Sequence, residues 1–452
     1  MSLHAGLLAR ESDARPIRVA LVGCGKFGSM FAAQVVRTPG MHLVAIADRD
    51  PARVRATLAR VGWAPERTAA ANLYEARRTG ATAVVDDVPA VLGSDHVDVV
   101  IEATGNPAAG IAHALLAFEA GKHVVMVNVE ADALAGPLLA RRAAAANVVY
   151  SLAWGDQPAL IADLVDWART AGFEVVAAGK GTKYLPAYHA STPDTVWEHY
   201  GIAAEAAAAG GMNPKMFNSF LDGTKSAIEM AAVANACGLD APEDGLAFPP
   251  CDVDDLADVL RPAADGGALG ARGQVEVVSS LARDGTPVAR DLRWGVYATF
   301  AADTDYVRRC FAEYGLLADA SGNYAAMYKP SHLIGLELGL SVASIGVRGE
   351  PTGAPREWRA DVVAVAKRDL RAGERLDGEG GRTVWGKLRP ADASRAADAL
   401  PLGLADGLAL RRDVPAGRVL TRADAAPADG EAARFRDEME AAFAPVSAPA
   451  RS

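Results

Sequence analysis

The sequence predicts an α/β protein: a doubly wound parallel sheet, then a central α+β region, then a small β domain. Three observations predict it. Short apolar runs alternate with helical stretches over the first third of the chain. The first of those runs feeds a glycine-rich turn that opens a helix. Near the end, AKRDLRAGERL (366–376) is echoed by LRRDVPAGRVL (410–420) at an offset of 44.

Length and composition agree. A chain of 452 residues suits two or three domains. Half of it is hydrophobic and 23% is charged, a globular composition. Lys plus Arg is 46 and Asp plus Glu is 56, for a formal charge of −10. That balance argues against nucleic-acid and membrane-surface partners and leaves room for a local basic pocket. The opening residues lack the apolar run of a signal peptide, and no window approaches the ~20 apolar residues of a membrane span. Four cysteines without metal-ligand spacing suit a reduced cytoplasm.

In chain order, residues 1–15 are expected to be disordered. Residues 16–155 carry the parallel sheet, with strands at IRVALVG, HLVAIAD, DVVIEAT, KHVVMVN and VVYSLAW. Residues 156–348 form the substrate domain. There FEVVAAGKG, QVEVVSS and RWGVYATFA read as strands, and KSAIEMAAVANACG as a helix stopped by Gly238. SHLIGLELGLSVASI reads as an apolar helix that buries against its own first domain or a second subunit. An assembly of two or four copies is therefore expected. Residues 349–425 hold the repeat, each Ala-Gly marking a turn. Residues 426–452 read as a frayed tail.

GCGKFG places Gly23, Gly25 and Gly28 in the spacing G-x-G-x-x-G, with Lys26 and Phe27 between the last two. Gly23 makes the tight turn, Gly25 lets a pyrophosphate approach, and Gly28 lets helix and strand pack. Asp48, ending the second run, can bond the ribose hydroxyls of NAD. Arg49 can pair with the 2′-phosphate of NADP, so the choice stays open. Thr104 and Gly105 in EATGNP, and Asn128, end strands at the ligand-bearing edge. Glu130 follows there as a candidate functional acid, while Asp132 reads as a helix N-cap. Asp156 is either a site acid or the N-cap of the helix that Pro158 starts.

Lys180 and Lys183 lie in a glycine-rich turn and can hold an anion. Asp222, Lys225 and Glu229 fall close together. Lys225 and Glu229 share a helix face, either as an exposed ion pair or as a proton donor with its tuning acid. His332 is a possible acid or base, and a structural role is its plainer reading.

The run from Gly23 to Asn128 resembles the dinucleotide-binding half of homoserine dehydrogenases, except that Val129 stands where that family keeps its catalytic lysine. GKHVVMVNVEAD, VVYSLAWGDQP, the GKG of AAGKG, FLDGTKSAIEMAAVANA and the terminal repeat together resemble the 1-deoxy-D-xylulose-5-phosphate reductoisomerase-like oxidoreductases, over residues 16 to 425. The repeat resembles the SAF (β-clip) domain. The resemblance implies a Rossmann first domain, NADP or NAD, and rearrangement then reduction of a ketose phosphate. It implies a divalent cation, Mg or Mn, for which Glu130 and Asp156 are suitable acids, with the lysines on the phosphate. After GKG this chain reads TKYLP where the reductoisomerases carry an Asn-rich stretch. That departure leaves other small anionic polyols, sugar acids and hydroxy acids open, through a plain dehydrogenase. A non-catalytic NADP-binding sensor is the remaining alternative.

Overall fold

A computed structural model describes residues 2–444. Six strands form a parallel sheet: β1 (Ile17–Val22), β2 (Met41–Ala47), β3 (Ala83–Val85), β4 (Val99–Glu102), β5 (His123–Met126) and β6 (Tyr150–Leu152). Their order is β3-β2-β1-β4-β5-β6. The connection reverses between β1 and β4, so a crevice opens at the carboxyl ends of those strands. β3 escaped the sequence reading because AVV is three residues long and carries no periodicity of its own.

Five more strands make a mixed sheet: β7 (Glu174–Thr182), β8 (Gln274–Ser279), β9 (Val296–Ala301), β10 (Leu317–Ala318) and β11 (Tyr324–Lys329), in the order β10-β11-β9-β7-β8. Lys180 therefore lies in β7, not in a turn. The glycines beside it admit crossing backbone. A Cβ at Gly179 would meet the Glu276 carbonyl oxygen at 1.7 Å, and one at Gly181 would meet that of Leu292 at 2.0 Å.

The helix Thr224–Cys237 ends at Gly238 in the left-handed conformation, as expected (φ 62°). Thirteen of its residues are buried. It packs on the helices Val129–Ala145 and Gln157–Thr170 and on the C-terminal strands. A helix apolar all round needs cover on every side, and this one has it from all three regions.

Two antiparallel strands, β12 (Ala360–Ala366) and β13 (Val384–Pro390), anchor the C-terminal domain. The repeat is a structural dyad. Leu370 and its equivalent Val414 exchange amide-to-carbonyl bonds. Asp413 accepts from the Ala372 amide and Asp369 from the Ala416 amide, each at 2.9 Å.

Three expectations are corrected. The first residues are ordered: Leu3–Ser12 is a helix capped by Ser2, and its Leu7 is buried against the first sheet. The stretch from His332 is helical only over Gly339–Ala343, with a wider turn over Ser344–Arg348. Gly335, at φ 72° and pressed on the Phe27 carbonyl, interrupts it. Leu338, Val342 and Ile345 pack with Ile17, Leu21 and Met41, so the chain's own first domain takes this face. The expected tail contains the helix Glu431–Ala442, whose buried Arg436 donates to both oxygens of Asp361. Tail residues 445–452 lie outside the described residues. Among the described residues no helix is long and apolar enough to cross a membrane, and all four cysteines are free.

Candidate active site

The glycine loop has the geometry its spacing predicts. Gly23 is at φ 88°, and a Cβ there would lie 2.7 Å from the Ala103 carbonyl oxygen. Gly28 presses on the Gly23 carbonyl, 2.6 Å from where its Cβ would be. Nothing lies within 4 Å of the Cβ position of Gly25. That open position caps the helix Lys26–Val35, whose first amides and positive dipole end face it. Lys26 is exposed and Phe27 half-buried against the sheet. The donor set fits a dinucleotide pyrophosphate.

Asp48 accepts from the Cys24 amide at 2.9 Å and pairs with Arg53 at 2.8 Å. Burial pushes its pKa up, but the Cys24 and Asp50 amides and the Arg53 guanidinium outweigh burial and hold it below its ordinary value. Arg49 is exposed. The sequence reading missed Arg53. Its only signal was a helix start, Asp50-Pro51, that brings the next turn back over Asp48.

At the next strand ends, Thr104 Oγ1 donates to Glu102 at 2.6 Å, and Asn128 Nδ2 donates to Thr104 Oγ1 at 3.3 Å and to the Asn106 carbonyl at 2.8 Å. Gly105 turns the chain at φ 67°. Asn128, not Asp132, caps the following helix, through the Ala131 amide. Asp132 lies one turn in, wholly buried, accepting from the Tyr150 hydroxyl at 2.7 Å. Burial pushes its pKa up to about 7.

Beyond Asn128 lies a charged centre built by all three regions. Lys225 pairs with Glu130, from the first turn of the Val129–Ala145 helix. It does not pair with Glu229, its neighbour one turn on, because Glu229 is taken by Lys180 from β7. Asp222 ends the helix Pro214–Leu221 and pairs with Lys367 of the C-terminal domain at 2.7 Å. Lys180, Glu229, Asp222 and Lys367 are closed off from solvent, whereas Lys225 and Glu130 keep 17% and 14% of their side chains exposed. Glu379, in a C-terminal loop, is also partly exposed and accepts from Ser219 Oγ at 2.5 Å.

Burial works against Lys225, but the charges of Glu130, Glu379, Glu229 and Asp156 override it and raise its pKa. Burial and the Glu130 charge push Glu379 up to about 7. Asp156 caps its helix through the Gln157 amide at 3.0 Å. Burial and Glu229 lift it to about 6, so the cap is also an acid with a raised pKa. His332 donates from Nδ1 to the Trp294 carbonyl at 2.7 Å.

Lys180 is spent on Glu229 and is not free to hold an anion. Lys183 makes no bond to the groups of this centre and donates to the His199 carbonyl at 2.5 Å. The expected cation also lacks ligands. Among the described residues no three His, Cys, Asp or Glu side chains are grouped to hold a metal, and Glu130 is occupied by Lys225. Lys367 and Glu379 were not foreseen.

Comparison with known proteins matches three family models to the three regions. Residues 17–126 match the oxidoreductase family with an NAD-binding Rossmann fold, 155–338 the catalytic domain of oxidoreductase DRL, and 361–426 the SAF domain. The chain is an NAD(P)-dependent oxidoreductase. No curated protein matches it. Similar solved structures include the Bacillus subtilis oxidoreductase yvaA (13% identity, 75% of this chain and 91% of that one, TM-score 0.38). Others are the WlbA dehydrogenase of Bordetella pertussis with NADH and UDP-GlcNAcA (20%, 37% and 44%, 0.27) and a Synechocystis biliverdin reductase with biliverdin and NADP+ (21%, 38% and 48%, 0.24).

Proposed function

We propose that the charged centre reduces the carbonyl group of a ketose phosphate or small keto acid and, in reverse, oxidises the alcohol carbon of the corresponding polyol or hydroxy acid. One observation carries this reading: Lys225, partly open to solvent, pairs with Glu130 just past a strand end on the edge that bears the glycine loop, and the charge of Glu379 acts on it. The bound nicotinamide supplies the hydride. Gly25 and the helix it caps hold the pyrophosphate, Asp48 and Arg53 the ribose end, and Thr104, Gly105 and Asn128 border the nicotinamide.

Lys225 binds the carbonyl oxygen as a fixed cation. A lysine whose pKa is raised is a poor proton donor at neutral pH, because donors work best near the operating pH. Glu379, near 7, is the better donor to that oxygen. Its carboxyl loses the proton as pH rises through about 7, so the reduction slows above that pH. Glu130 holds Lys225 in place. Asp156, Glu229 and Lys180 set the field behind it, and His332 closes the outer side.

The sequence motifs favour a 1-deoxy-D-xylulose 5-phosphate type of reductoisomerase within this class. A plain dehydrogenase is the second reading, favoured by the occupied Glu130 and by the lack of a grouped metal-ligand set among the described residues. Oxidation of NADPH and NADH is measured with 1-deoxy-D-xylulose 5-phosphate, keto sugar acids and the keto acids that correspond to hydroxy acids, with and without magnesium or manganese. A rearranged carbon skeleton selects the first reading and an unchanged skeleton the second. No oxidation with any of them, while NADPH still binds, sinks the reductase assignment in favour of a cofactor-binding sensor.

A further inference from the structure

Arg293 is a cation without a counterion. Its side chain makes no hydrogen bond and no ion pair among the described residues; only its backbone amide is used, by Asp291. Its guanidinium lies 4.8 Å from the Trp294 ring centre and 5.8 Å from that of Tyr200. Lys183 lies 5.5 Å from the same Tyr200 ring. Its ammonium bonds only a neutral group, the His199 carbonyl. Two half-buried cations thus share one tyrosine, and among the described residues neither side chain pairs with a carboxylate. Burial and the charge of Arg293 together lower the pKa of Lys183, the mark of a cation kept beside a like charge.

Folding alone gives no reason for this arrangement. Arg261, likewise half-buried, is neutralised by Asp319 at 2.6 Å, and even the exposed Arg272 has Glu174 at 2.6 Å. Like charges brought together cost stability unless a ligand of opposite sign joins them.

The pair also borders the charged centre. Asp222 of that centre acts on Tyr200, and Trp294, next to Arg293, accepts through its carbonyl from His332. The hydroxyl-bearing rings of Tyr188 and Tyr200 both feel Arg293.

We propose that Lys183 and Arg293 form an anion subsite that takes the phosphate group of a phosphorylated substrate. The charge count selects phosphate over carboxylate. A phosphate monoester carries about −1.5 to −2 at neutral pH, which two cations balance, whereas a carboxylate leaves one charge over. The guanidinium supplies a fork for two phosphate oxygens and the ammonium a point charge for the third. The subsite rests on the reading of the charged centre only for the substrate's remaining atoms, because the anion itself binds without turnover.

The test is inorganic phosphate titrated into the full chain with saturating NADP+, which fills the glycine loop and its helix amides. Binding is followed by the fluorescence of Trp294, set against a Trp294→Phe control, and by calorimetry. Saturable binding is expected, at least tenfold weaker in Arg293→Gln and in Lys183→Gln, with Arg293→Lys intermediate and melting temperatures unchanged. Acetate is expected to bind at least tenfold more weakly than phosphate. Absence of phosphate binding, or binding equal in the folded variants, overturns the subsite. Preference for acetate overturns the phosphate assignment. If phosphate binds as described and no carbonyl compound is reduced, the subsite stands and the reductase reading fails.

Discussion

The cofactor loop and the charged centre are built in opposite ways. At Gly23, Gly25 and Gly28 the working parts are backbone: a φ of 88°, an open Cβ position and a carbonyl at contact distance. At Lys225, Glu130, Glu229, Lys180, Asp222, Lys367 and Glu379 they are side-chain charges from three regions of the chain. The first tolerates almost any side chain nearby but no change in its glycines. The second tolerates backbone variation but no loss of a partner. A backbone site fails through strain, and a charge network fails through an orphaned ion.

The largest expected effect is at the network. Lys180→Ala leaves Glu229 buried without its counterion and should cost about 3–5 kcal/mol, read as the shift in a denaturant midpoint. The double variant Lys180→Met, Glu229→Leu should recover most of it. A single variant as stable as the parent would mean that the pair does not hold the centre together. Next comes the loop. Gly23→Ala should cost about 1–3 kcal/mol in backbone strain and abolish NADPH binding in a fluorescence titration. Gly25→Ala should leave the melting temperature alone and weaken only the cofactor, which separates fold from function at two neighbouring glycines.

Smaller still is Arg53→Ala. It frees Asp48 for ribose hydroxyls and removes the cation nearest a 2′-phosphate, so the NADPH-to-NADH affinity ratio should fall about tenfold. An unchanged ratio would assign that choice elsewhere. A last effect depends on pH, at Asp132. Its folded carboxyl, near 7, keeps a proton that the unfolded chain releases above about pH 4. Stability therefore falls as pH rises from about 4 to about 7. Asp132→Asn should flatten that fall, visible in melting temperatures measured at pH 5 and pH 8.

The same contrast explains what the sequence made legible. The glycine loop and Asp48 are local, and spacing along one strand-turn-helix unit is enough to find them. Glu130 and Asp156 were visible as acids past strand ends. The pairings were not. Lys225 and Glu229 look like partners at one helical turn, yet each is claimed by a residue from another element. Lys367 was hidden inside the repeat, where its counterpart Arg411 has no comparable task. The glycines around Lys180 look like a turn, and only the crossing carbonyls of Glu276 and Leu292 show why a strand needs them. Arg293 had no signal at all, since nothing in DLRWG says that its charge goes unanswered.

The Asp222–Lys367 pair has a consequence for how the molecule is made. Asp222 is fully buried, and its counterion lies 145 positions later in the chain. During synthesis the first sheet and its cofactor loop are complete long before that lysine leaves the ribosome. A nascent or truncated chain can therefore carry a complete glycine loop while its charged centre still holds an uncompensated acid. Completion of the charged centre therefore waits until the domain that carries Lys367 has been made and has docked.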